Sequence, residues 1–332
     1  MTVDPDIRQT LGVSLAVGSA FSYAATNVLV RRGARRGLLD HGLLLTLAVN
    51  MVILVPVSLI AGIQWEGPNP AAGIAWYVAS GLLAGFMGRI ALFGGIVRIG
   101  SSRASSLKNA APMVAVAMGV LVLHEQLDVQ SWLGIALCLS GLGLLVRNRQ
   151  PIAPIPAGVQ PSTIGIADES ALAVEAGEPR WMTSRPSTRV IGTACGLGAA
   201  LFFGLSQSAR KLGTTDLPDP LFGALVAVTV SAFAYVGYLA AHRRLWEVVR
   251  ANVLYANANL FGAGVMSAAG MLTFLLALTM LSVSVASVIA SAEVLFTVVL
   301  AALVLRRTEM VTVQVVFAAV LVCVGAVVLS SS

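Results

Sequence analysis

Charge is what this chain most lacks. Lys, Arg, Asp and Glu make up 11% of its 332 residues, where a soluble domain of that length carries roughly a quarter. With 57% hydrophobic residues and a mean hydropathy of +0.87, a water-soluble fold would expose very large apolar patches and is excluded. Cysteine is scarce as well. Cys138, Cys195 and Cys323 each fall inside an apolar run without paired spacing. That excludes a disulfide framework or zinc site and leaves small packing residues. His41, His124 and His242 lie at the ends of apolar runs and form no metal-spaced cluster. No Ser/His/Asp arrangement, HExxH or Walker-type loop occurs, so neither an enzyme nor a bound cofactor is expected. Ten-residue segments of alternating polarity are missing too, which excludes a membrane barrel. The first ten residues lack a basic n-region, so the first apolar run is expected to be retained.

What is abundant is apolar sequence in runs of about 20 residues, enough to cross ~30 Å of hydrocarbon as helices. Ten spans are predicted, at about 11–30, 40–62, 72–99, 104–123, 129–147, 189–210, 219–241, 254–281, 284–305 and 311–330. Between the fifth and sixth lies a Pro-, Ser-, Gly- and Glu-rich stretch read as a disordered cytoplasmic linker, residues 150–188. It separates a first half, 1–149, from a second, 189–332.

The halves resemble each other. A shift of 180 places Tyr23 through Asn27 over Phe203 through Gln207, and Gly33 over Gly213. A shift of 182 places Gly88 over Gly270 and Ala104-Ser105 over Ala286-Ser287. A shift of 184 places "EQLDVQ" (125–130) over "EMVTVQ" (309–314). A duplicated unit with an odd number of spans enters the membrane the opposite way round. The expected fold class is an all-α integral membrane protein, ten transmembrane helices forming two inverted five-helix repeats.

Loop charge agrees with an inversion. Arg31, Arg32, Arg35, Arg36, Arg98, Arg103, Arg147, Arg149, Arg180, Arg185, Arg189, Arg243, Arg244, Arg250, Arg306 and Arg307 fall on one set of loops, and Arg8, Arg210 and Lys211 on the other. Positive loops mark the cytoplasmic side, so both termini are expected outside, in the cytoplasmic (plasma) membrane. The net charge of +6 is then loop charge beside lipid, and no nucleic-acid partner is expected.

The segment "GSSRASSLKNAAPMVAVAMGVLVLHEQLDVQSWLGIALCLSGLGLLV" (100–146) resembles the EamA domain of the drug/metabolite transporter superfamily. The matching features are Ala-Ser before a span, Pro112 within it, Glu125 after it and a Gly-spaced final span. The second half resembles it more weakly: Glu293-Val294 stands where that family often has Glu-Pro. The resemblance implies a ten-helix secondary carrier for a small metabolite, often an exporter. Arg89 and Lys108 depart from the family's pattern, and so does an outside location of the termini. Membrane lipids and a small-molecule substrate are the implied partners, with a proton or counter-substrate as the coupling partner. A flippase of similar fold and a non-transporting scaffold are the competing readings.

Charges inside lipid each ask for a reason, at ~2.5–3.5 kcal/mol on insertion scales. Arg89, Lys108 and Glu293 fall there by the predicted spans. Lys108 is shallow enough to snorkel, and Arg89 with Glu293 reads as a fixed ion pair; alternatively, Arg89 or Lys108 holds an anionic or amino-acid-like substrate, with Glu293 as a titratable gate or proton site. Asn109 adjoins Lys108. Asn27 and Gln207 are repeat mates, with Tyr23 one turn before Asn27 on the same face. They are read as a midplane substrate site or as interhelical hydrogen-bond glue. Pro112 reads as a hinge or a tolerated kink. Gly81 and Gly85 read as a close-packing motif, and Glu125 as a helix-end cap or a gate.

Overall fold

The computed structural model describes residues 5–33, 43–62, 66–99, 107–147 and 186–305, with single positions between 317 and 328. Most of the predicted linker and of the tenth predicted span lie outside the described residues. Everything regular among the described residues is helical. The elements are α1 (Pro5–Gly33), α2 (Leu43–Ala61), α3 (Pro70–Ser80), α4 (Arg89–Ile99), α5 (Ala111–Leu121), α6 (Val129–Arg147), α7 (Pro186–Asp216), α8 (Pro220–Ala241), α9 (Leu245–Leu254), α10 (Ala258–Met280), α11 (Val283–Ala290) and α12 (Glu293–Leu305). A π-helical segment, Gly81–Gly88, joins α3 to α4 without a break.

Six of the described helices are long and apolar enough to cross a membrane, and three shorter apolar ones accompany them. The protein is thus a multi-span helical membrane protein. The fourth and ninth predicted spans are broken. Turns at Asn109–Ala110 and Ser291–Ala292 interrupt them, and these turns stand 182 residues apart, the same offset that aligns Gly88 with Gly270. The sixth span is longer than expected at both ends. Helix α7 begins at Pro186, inside the predicted linker, and continues past Arg210 to Asp216.

Small residues set the packing. Ala16, Ala20 and Ala24 recur every fourth position on α1 and are fully buried, which lets α10 approach closely. Across that seam Ser19 Oγ donates to the Gly270 carbonyl at 2.8 Å, and Asn257 Nδ2 donates to the Gly33 carbonyl at 2.7 Å. Asn257 also caps α10, its Oδ1 accepting from Leu260 N. The partner seam joins α7 to α3 and α4. There Asn69 caps α3, and its own N–H donates to the Asp216 carbonyl at the end of α7. Fully buried Tyr77 donates to the Leu217 carbonyl at 2.8 Å, and its ring lies where side chains at Gly213 and Gly223 would otherwise stand.

Gly81 and Gly85 do allow close approach, but across the π segment. A Cβ at Gly81 would meet the Ala227 backbone, and one at Gly85 would overlap Ser231. The widened turn is stitched from outside: Ser206 Oγ donates to Ser80 O at 3.0 Å and Ser231 Oγ to Gly81 O at 2.9 Å. Such segments recur at functional positions in helices, and this one ends at Arg89.

Candidate functional site

Two helix faces carry the polar residues singled out in the sequence. On α1, Tyr23 and Asn27 stand one turn apart. On α7, Phe203, Gln207 and Arg210 follow at i, i+4 and i+7. All of these are half-buried, although they sit on membrane-spanning helices. A half-buried amide or guanidinium at that depth faces either hydrocarbon or a polar interior, and hydrocarbon is costly. These residues are the candidates for a polar site between the helices.

Asn27 Nδ2 donates to Glu293 Oε1 at 2.7 Å across 266 residues of sequence. Glu293 opens α12, directly after the turn at Ser291–Ala292, where the positive end of the helix dipole favours a carboxylate. Tyr23 stands amid Arg210, Glu293 and Arg89, close enough for each charge to act on its hydroxyl. Arg89 has Tyr235 and Tyr23 as its charge-sensitive neighbours. Arg89 and Glu293 make no salt bridge with each other, the ion pair seen among the described residues being Arg244–Glu247. The fixed-pair expectation for Arg89 and Glu293 is thereby corrected: Asn27 holds the carboxylate, and both charged groups are kept apart.

Glycine makes the room. A Cβ at Gly270 would stand 3.2 Å from the Tyr23 ring, and one at Gly88 would stand 3.1 Å from the Phe203 ring. These are matched pairs, since Tyr23 aligns with Phe203 and Gly88 with Gly270. Lys108 lies over the Phe203 ring, 5.1 Å from its centroid. It makes a cation–π contact there. Asn109 follows in the turn before α5, its Nδ2 buried without a hydrogen-bond partner, as is Gln207 Oε1. Pro112 is the second residue of α5 rather than the centre of a helix; the break lies just before it.

Sequence reasoning put Arg210 in a loop. It belongs to the site instead, because α7 runs on for six residues beyond it. Its guanidinium lies over Phe274, 5.9 Å from the ring centroid. A doublet of basic residues after an apolar run signals a span end as readily as a buried cation, so only the helix path could separate the two.

Beyond this site a cavity of about 790 Å³ opens between Arg8, Glu125, Asp128, Lys211 and the Leu281–Ser282 junction of α10 with α11. Glu125 resolves as a cap. Its Oε1 accepts from Val283 N at 2.6 Å, and its Oε2 accepts from Ser284 N at 3.2 Å and Ser284 Oγ at 2.6 Å. Left-handed His124 (φ 53) turns the chain to aim it, and Gly119 leaves space beneath. Lys211 Nζ donates to the Leu278 and Leu281 carbonyls, both at 2.7 Å. Both helix ends at this junction are therefore saturated by side chains of opposite charge.

Among the described residues, Cys138 and Cys195 form no disulfide, and no group of His, Cys, Asp or Glu is arranged to hold a metal.

A bundle of membrane-spanning helices, two of its predicted spans broken, is the architecture of a multi-span membrane protein class. The EamA-like transporter family model matches residues 10–147 and again 190–331, so the chain belongs to that family, whose members are transporters rather than enzymes. An uncharacterized transporter of Bacillus subtilis (strain 168), YwfM, is 28% identical over 140 residues, 42% of this chain and 46% of that protein. The match thus spans about half of that relative's length. A second relative, an uncharacterized transporter in the cobO 3' region of Sinorhizobium sp, is 28% identical over 131 residues, 39% of this chain and 92% of its own. A protein of known crystal structure, 15% identical, superposes with a TM-score of 0.65 over 95% of this chain and 96% of the other. That likeness speaks to fold alone.

Proposed function

We propose that the protein is a secondary carrier that moves a small, anionic or amino-acid-like metabolite across the cytoplasmic membrane, outward, by alternating access around the Tyr23–Asn27–Arg89–Gln207–Glu293 site. The single observation that carries this reading is the Asn27–Glu293 hydrogen bond of 2.7 Å between the two halves. It ties the first helix of one half to the broken fourth helix of the other. Lys108 and Asn109 at the matching break complete the substrate-binding set.

The architecture behind this reading is two inverted five-helix repeats, 1–149 and 189–332, joined by a cytoplasmic linker at 150–188. Four features support it: the doubled family match, the breaks 182 residues apart, the paired Gly270–Tyr23 and Gly88–Phe203 contacts, and the reciprocal docking of α10 on α1 and α3 on α7. Carriers of this kind place substrate near the midplane at discontinuous helices. With no nucleotide-binding loop in the sequence, coupling falls to a proton or a counter-substrate, and Glu293 is the group placed to take the proton. Charge bias puts both termini outside and the 790 Å³ mouth on the external face.

Metabolite profiling of cells with and without the protein, followed by liposome uptake of the candidates, tests the function. Orientation is tested in a cysteine-free background. Single cysteines at Arg35 and Arg244 are expected to be shielded from an impermeant thiol reagent in intact cells, and one at Ser332 to be labelled; the reverse pattern inverts the assignment.

A further inference from the structure

Arg210 and Lys211 are consecutive on α7, yet their charges meet opposite surroundings. Lys211 is occupied, donating to two backbone carbonyls at the end of α10. Arg210 points about 100° further around the helix, onto the face it shares with Gln207. Its guanidinium lies over Phe274 and beside the Tyr23 hydroxyl, and its Nε is buried with no hydrogen-bond partner. No carboxylate forms a salt bridge with it among the described residues. Fixed structural use therefore accounts for Lys211 and leaves Arg210 unexplained.

The charge balance sharpens the point. Arg89, Lys108 and Arg210 are positive and Glu293 is negative, so the interior carries a surplus of two cations. An unpaired cation with an open donor in low dielectric is costly, and a ligand that supplies the missing acceptor removes the cost. Arginine suits that task better than lysine, because its planar fork presents parallel donors to an oxyanion. An aromatic face beneath holds the plane of the fork.

We propose that Arg210 is the anchor for the oxyanion group, carboxylate or phosphate, of the transported molecule, with Tyr23 donating beside it and Phe274 fixing the plane of the guanidinium. The proposal rests on the carrier reading and names the chemical class that the site takes. Glu293, held by Asn27 and near Tyr23, repels a second anionic group on the α12 side. The molecule therefore lies with its anionic head on Arg210 and its uncharged or donor-bearing part toward Glu293.

Thermal unfolding of the purified full chain tests this with three probes of similar shape: 3-phenylpropionate, its neutral amide and phenyl phosphate. A ligand that binds the folded state raises the midpoint in proportion to its occupancy. Wild type is expected to be stabilised by an anion and not by the amide, and the two anions tell a carboxylate site from a phosphate site. Arg210→Gln is expected to weaken the anion by about ten-fold or more, with Arg210→Lys recovering part of it because a point charge lacks the fork. Lys211→Met, a control for folding, is expected to lower the unfolding midpoint without ligand and to keep the response to the anion. Equal response to anion and amide, no response of wild type to either anion, or undiminished anion binding by Arg210→Gln overturns the proposal. The two readings fail separately. Anion binding at Arg210 without transport in liposomes leaves the anchor and removes the carrier, whereas wild-type transport of an anion by Arg210→Gln leaves the carrier and removes the anchor.

Discussion

The two broken helices, one in each stretch that the family model matches, are interrupted alike and differ in chemistry. In the first, the turn at Asn109–Ala110 follows Lys108 and precedes Pro112; in the second, the turn at Ser291–Ala292 leads straight into Glu293 with no proline. One break presents a cation and an amide to the interior, the other a carboxylate. The difference teaches that proline does not make the break, since the half without one is broken at the matching position. The two breaks carry opposite charges, with the carboxylate placed where a helix N-terminus favours it.

The comparison breaks most visibly at Glu293. Glu293→Ala removes the acceptor of Asn27 and the anion at the start of α12. Substrate flux in liposomes is expected to fall by ten-fold or more, about the loss of one charge-assisted hydrogen bond. Glu293→Gln keeps a partner for Asn27 and is expected to retain binding while flattening the pH dependence of flux, because an amide does not titrate. An unchanged pH profile in Glu293→Gln would remove the carboxylate from any coupling role.

Glu125 ties the two broken helices together, leaving the end of α5 to cap the start of α11. Glu125→Ala orphans the Val283 and Ser284 amides, and a loss of about 2 kcal/mol is expected in denaturation of the purified protein. Glu125→Gln, which keeps acceptor oxygen, is expected to lose less. Equal stability of Glu125→Ala and wild type would show that the cap contributes nothing.

Pro112→Ala sharpens the lesson about proline. Since Pro112 is the second residue of α5, where no intrahelical N–H bond is forfeited, stability is expected to change by less than about 1 kcal/mol. Flux is expected to stay within two-fold. A collapse of flux would show that proline holds the first break after all.

The smallest effect belongs to Asp128, which caps α6 by accepting from Ser131 N at 2.9 Å. Hydrogen bonds from Ser131 hold its carboxyl below the ordinary value of 3.8. Its contribution is therefore present above that value and lost as pH falls through the lower folded-state value. Asp128→Asn is expected to match wild type in unfolding scans under strongly acidic conditions and to differ only slightly at neutral pH.

Most helices were legible because about 20 apolar residues in a row have few alternatives. Asn27 and Glu293 were each singled out, yet nothing in sequence order brings residues 27 and 293 into contact; that follows only from how α1 packs on α12. Arg210 was missed because a basic doublet after an apolar run reads as a span end. The break before Glu293 was invisible for want of a proline, and α9 for being ten residues of mixed character. The segment "GLLAGFMG" is as apolar as the helix around it, so its π geometry left no compositional trace. It depends on serines of α7 and α8.

That π segment also bears on how the gene can change. A turn closed by i→i+5 bonds holds more residues than an α-turn, so Gly81–Gly88 stores spare chain length within a continuous helix. Deleting one codon between Leu82 and Met87 takes up that slack, and Arg89 keeps its bearing. The same deletion in the middle of α10, which is regular from Ala258 to Met280, has no slack to use and swings everything beyond it by about 100°. Deletion scanning of the two helices should find one permissive window in the first and none in the second.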